Sequence, residues 1–141
     1  MDKISKHFVL EEFFEKDLVH SQVGDRLLSY LDPRILDICD FLRERYGPAT
    51  VNNWHLGGEL EQCGFRRPSS KVGASCSQHK FGRAADLHFA GITAHEIRTD
   101  MKLDQAPFMR AGITAIEEGV TWLHVDCRWI PGNFGILFFH G

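Results

Sequence analysis

Trp122-Leu123-His124-Val125-Asp126-Cys127-Arg128 alternates in character from one residue to the next. Successive side chains of a β-strand point to opposite faces. Leu123, Val125 and Cys127 therefore form an apolar face, while Trp122, His124, Asp126 and Arg128 share the other. Extended to Trp129, this is the clearest strand in the chain. Ala84-Ala85-Asp86-Leu87-His88-Phe89 reads in the same way, with Asp86 and His88 opposite Leu87 and Phe89. Each strand thus offers a His and an Asp on one side and apolar groups on the other.

Working outward, the remaining segments supply helices for the apolar side. Ile35, Ile38, Cys39 and Leu42 recur at helical spacing behind Asp32 as N-cap and Pro33 in the first turn. Gly47-Pro48 ends that helix. Val23, Leu27, Leu28 and Leu31 give residues 21–31 a helical spacing, and residues 8–14 suit one short helical turn. Thr93 caps a helix over 94–103, with Glu96 completing a capping box, and a second helix covers 106–111 and stops at Gly112. Residues 49–54 read as a short strand, and residues 134–139 (Phe-Gly-Ile-Leu-Phe-Phe) as a final buried one. From 57 to 77 the chain is rich in Gly, Ser and Arg without a period, and long loops in compact domains are usually functional. The expectation is a single α+β domain spanning 1–141, with helices packed on one face of a small, mainly antiparallel sheet.

Composition narrows the partners. The 141 residues are 43% hydrophobic and 25% charged, ordinary values for a globular domain. The formal net charge of -3 and scattered basic residues argue against nucleic acid, which is held by clustered Lys and Arg. Arg66, Arg67 and Lys71 are the one local basic cluster. The start, Met1 to His7, precedes no long apolar run, so neither a secretory signal nor membrane insertion is expected. The four cysteines, at 39, 63, 76 and 127, form no Cys-x-x-Cys pair, which disfavours a cysteine-only zinc site. Cys39 and Cys127 read as reduced core residues; Cys63 and Cys76 flank the polar segment, and synthesis in a cytoplasm disfavours a disulfide between them.

The chemistry concentrates around the two His/Asp strands. Ser77-Gln78-His79-Lys80-Phe81-Gly82 stands just before the first of them. Gly82 can turn the chain so that His79 returns over the face carrying Asp86. If the two strands are neighbours, His79, Asp86 and His124 converge. Two imidazoles and a carboxylate are a common catalytic zinc set with a further position open to water. Such an ion makes water a nucleophile at neutral pH and polarises a peptide carbonyl.

Ser77-x-His79-x-x-Gly82-x-Ala84-x-Asp86, followed by Trp122-x-His124-x-Asp126, resembles the zinc D-Ala-D-Ala carboxypeptidase family of peptidoglycan-cleaving carboxypeptidases, dipeptidases and phage endolysins, to which a hedgehog-type domain is structurally related. His7-Phe8-x-Leu10-x-Glu12-Phe13 looks like the opening of its phage and bacterial branch, and Gly64-Phe65-Arg66 like its Gly-Tyr-Arg segment. The resemblance implies a hedgehog/DD-peptidase-like fold and a zinc ion on His79, Asp86 and His124. It implies that Arg66 binds substrate or stabilises an oxyanion, with Arg67 taking that place if the register slips by one. Ser77 is implied to shape the ligand loop, and Asp126 to orient a ligand or substrate. His88, on the Asp86 face, is a candidate substrate contact. Trp54, Trp122 and Trp129 are candidates for lining a groove.

One departure stands out. Several family members carry an acidic residue or a His three positions before the last ligand as general base, and here Thr121 occupies it. Glu118, where hedgehog-related domains place a glutamate near zinc, is the first choice of base and Asp126 the second. The implied activity is hydrolysis of a peptidoglycan peptide bond by a monomeric phage or prophage enzyme. It would be made in the host cytoplasm and act in the cell wall after release, or from the virion. The rival expectation is a zinc-binding or virion structural module without turnover.

Overall fold

The structure is a computed structural model that describes residues 2–21, 24–132 and 135–141. Four α-helices and five strands make up the regular framework among these residues: α1 Lys16–His20, α2 Pro33–Tyr46, α3 Ala94–Leu103 and α4 Ala106–Ala111, with β1 Ala49–Thr50, β2 Ala84–Phe89, β3 Ala115–Glu118, β4 Leu123–Asp126 and β5 Leu137–His140. The expected helical turns near the start are 3-10 turns, at Leu10–Glu12 and Gly24–Tyr30, and Val23 lies outside the described residues.

The helix boundaries follow from their caps. Asp32 accepts the Arg34 backbone N–H at 3.0 Å, Pro33 occupies the first turn of α2, and Gly47 ends it. Ile35, Ile38, Cys39 and Leu42 are buried along one side. The buried Asp40 takes hydrogen bonds from the Ser5 hydroxyl and from the Lys6 and His7 backbone, fastening the N-terminal segment to α2. Thr93 and Glu96 close the capping box at α3.

The strands lie in the order β1-β2-β4-β3-β5, with β3 and β5 parallel and the other pairs antiparallel. An α+β architecture with a mostly antiparallel mixed sheet is therefore present. Register decides the two faces. Asp86 stands opposite His124, Ala115 opposite Asp126, and Glu117 opposite Phe139. Ala85, Leu87, Ile116, Leu123 and Val125 consequently project to one side, where they join the buried residues of α2 and α3 in the core. Asp86, His124, Asp126, Glu117 and Phe139 project to the other. The first strand is shorter than 49–54, ending at Thr50. The last begins at Leu137; the expected strand start at Phe134 lies outside the described residues. Residues 115–118, unread as a strand in the sequence, fill the place between β4 and β5.

Candidate metal centre

His79 sits in a 3-10 turn, Gln78–Phe81, that the sequence closes at both ends. The Ser77 hydroxyl accepts the His79 backbone N–H at 3.3 Å, and Gly82 ends the turn in the left-handed region with φ +67°. A Cβ at position 82 would lie 1.7 Å from the Tyr30 carbonyl oxygen, so only glycine fits. The turn thereby places His79 over β2. The loop behind it is held as closely: Asp86 N–H donates to the Cys63 carbonyl, Arg66 N–H to the His79 carbonyl, and Phe65 N–H to that of Phe13.

The two imidazoles are each fixed by their outer nitrogen. His79 Nδ1 donates to the Gly64 carbonyl at 2.7 Å, leaving the Nε2 lone pair facing inward. His124 Nε2 donates to Asp126 Oδ2 at 2.8 Å, leaving Nδ1 inward. These inward atoms and Asp86 Oδ1 form a triangle: His79 Nε2 to Asp86 Oδ1 3.2 Å, His124 Nδ1 to Asp86 Oδ1 2.9 Å, and His79 Nε2 to His124 Nδ1 3.2 Å. All three residues are buried. Converging lone pairs repel one another unless a proton or a metal ion sits among them. Ligand atoms at about 2.0–2.1 Å from a tetrahedral zinc lie about 3.3 Å apart, close to the separations here. The donor set therefore fits a metal ion, and the group could hold one.

Charge around the triangle is balanced by its neighbours. Burial alone would raise the Asp86 carboxyl, but hydrogen bonds from His124 and His79 outweigh it and hold the group well below the usual carboxylate range. Arg66, 9% exposed, adds its Nη2 to the other oxygen, Asp86 Oδ2, at 3.2 Å, while its Nε donates to the Gln62 carbonyl. Burial would lower His124, yet its bonds to Asp126 and then Asp86 push it up to about 9. Asp126 is fully buried and gives both oxygens to the Arg128 guanidinium, one of them shared with His124. It fixes the orientation of the His124 ring, the place that carboxylates take behind histidines in metal sites.

The triangle opens into a cavity of about 610 Å³ bordered by Arg66, Ser77, Glu117, Trp122, Arg128 and Phe139. A second cavity, of about 380 Å³, lies beside Glu59, Glu61, Cys63 and His88 and shares Arg66, Val72, Asp86 and Trp122 with the first. His88 is half-buried with its Nε2 3.7 Å from Cys63 Sγ, and burial lowers its pKa; it borders the groove without joining the triangle. Arg67 pairs with Glu15 and lines neither cavity. Trp122 is the groove tryptophan. Trp54 donates its Nε1 to the Phe14 carbonyl, and Trp129 is largely exposed. All four cysteines are free thiols.

Comparison of the chain with protein-family models, curated proteins and solved structures returns no match.

The structure does not bring Glu118 to the triangle. Alternation along β3 sends it to the helix side of the sheet, where it pairs with Lys102 of α3 and lies 3.6 Å from His140 Nε2. Asp126 touches His124 from behind, with no oxygen facing the cavity-side nitrogen. Thr121 is exposed and borders a separate cavity along Leu87–Ala94. The carboxylate on the triangle's side of β3 is Glu117, whose Oε2 lies 3.9 Å from His124 Nδ1. The sequence reading passed over Glu117 because residues 115–118 were unread as a strand; the alternation applied to β2 and β4 would have found it. Arg128 and Phe139, with the guanidinium carbon 4.5 Å from the ring centroid, close the same side of the groove.

Proposed function

We propose that this chain is a zinc-dependent peptidase that hydrolyses a peptide bond in peptidoglycan stem peptides. Its fold is then the hedgehog/DD-peptidase type, and its setting a phage or prophage that degrades the host cell wall. The observation that carries the reading is the buried His79, Asp86 and His124 triangle, which opens into a cavity of about 610 Å³. When bound, zinc supplies Lewis acidity, polarising a carbonyl and making water nucleophilic at neutral pH. The chain's own residues do the rest. Gly64 and Asp126 fix the two ring orientations, and Arg66 steadies Asp86 from behind. The Arg66 guanidinium borders both cavities, where its remaining N–H groups suit a substrate carboxylate or a developing oxyanion. Trp122 offers an apolar wall to the peptide, and Ser77 holds the turn that carries His79.

A second reading, a zinc-binding or virion structural module without turnover, draws on Thr121 standing where a base was expected. Mass spectrometry of purified muropeptides separates the two. The peptidase reading expects new products with wild type, abolished by a chelator and restored by zinc. Unchanged muropeptides across a range of pH and zinc concentration would leave the module reading in its place.

A further inference from the structure

Hydrolysis of an amide needs a group that takes a proton from the attacking water, and the Glu117 carboxylate borders the cavity into which the triangle opens. We propose that Glu117 is that group, a role that rests on the peptidase reading above. Four observations converge on it. Register places Glu117 on the metal face of the sheet, in line with Asp86 and His124 across β2, β4 and β3. Its carboxylate borders the cavity into which the triangle opens. Its Oε2 stands 3.9 Å from His124 Nδ1, outside the 2.9–3.2 Å spacing of the three ligand atoms, and Glu117 is no member of the buried ligand group. Among the described residues its carboxylate accepts no hydrogen bond, whereas Glu118 is paired with Lys102 and Asp126 is occupied by Arg128 and His124. A proton acceptor must be near the reacting water yet uncommitted to a structural partner. Glu117 meets both conditions.

Gly141 adds a reason for its position. A Cβ at 141 would lie 2.1 Å from Glu117 Oε1, so the glycine lets the backbone close against the carboxylate. In the step itself, Glu117 takes a proton as the water oxygen bonds to the carbonyl carbon. The same proton then passes to the amide nitrogen as the C–N bond breaks, giving a carboxylic acid and an amine with Glu117 restored.

The test compares wild type, Glu117→Gln and Glu118→Gln. Zinc affinity is measured by competition with a chromophoric chelator, and turnover by mass spectrometry of muropeptides. Glu117→Gln is isosteric; it is expected to keep zinc affinity within a few-fold and to lose about 100-fold or more in kcat with KM little changed. Glu118→Gln is expected to keep both. Three results overturn the proposal. If Glu117→Gln turns over like wild type, Glu117 is not the acceptor, while the peptidase reading stands. If Glu117→Gln loses zinc, Glu117 is a ligand instead. If wild type itself cleaves nothing, the peptidase reading falls and the proposal with it.

Discussion

Asp126 illustrates how much of the centre is settled by single atoms. One oxygen receives His124 Nε2–H and both receive Arg128, so the imidazole is held in the tautomer that turns Nδ1 toward Asp86. Asp126→Asn keeps the shape but removes the charge, and zinc binding should weaken 10- to 100-fold by chelator competition. Unaltered affinity would mean that the carboxylate does not tune the ligand. The thiols give an independent check on the burial of the same region. Burial pushes Cys63 up to about 12 and Cys127 up to about 11, and Cys39 is raised by full burial, whereas Cys76 is exposed. Iodoacetamide at pH 8 should label Cys76 well before the other three, as read by peptide mass mapping. At this scale Asp86 and His124 were legible because alternation marks a face without any knowledge of neighbours, and His79 because Gly82 marks a turn just ahead of the strand that carries Asp86. Glu117 was not, since two adjacent glutamates after Ile116 look like a solvated loop until the pairing of 115–118 with β4 is known.

The elements that carry the ligands differ in how firmly the sequence specifies them. α2, β2, α3 and α4 start and stop where caps, glycines and alternation place them, because those signals are local. β3 has four residues and depends on β4 and β5 for its existence, and such tertiary dependence leaves little trace in composition. The turn bearing His79 is constrained by Ser77 at its start and Gly82 at its end. Gly82→Ala puts a Cβ into the Tyr30 carbonyl and forces a left-handed alanine, whose backbone alone costs about 1–2 kcal/mol. Denaturant unfolding should show at least that loss, and zinc affinity should fall as His79 is displaced. A variant with unchanged stability and affinity would contradict the placement of the turn against Tyr30.

For the molecule as a whole, the buried charges tie stability to pH and metal. In metal-free protein His124 holds its proton to about 9, against an ordinary 6.5. The folded state then keeps a proton that the unfolded chain releases, so this contribution is complete below about pH 6.5 and is lost as pH rises through about 9. Asp86, held low, acts in the other direction: its contribution is present above the ordinary carboxylate range and lost only as pH falls through its depressed value. Calorimetry of metal-free protein should therefore show Tm falling between pH 6.5 and 9. Zinc should remove that fall, since the ion takes the place of the proton on Nδ1. A flat metal-free profile over the same span would contradict the pairing of His124 with its two carboxylates. No helix among the described residues is long and apolar enough to cross a membrane. The most direct test of the central claim is metal analysis of wild type and His79→Ala, each purified without added zinc. Near-stoichiometric zinc is expected in wild type and little in the variant. Wild type carrying no more zinc than His79→Ala would contradict it.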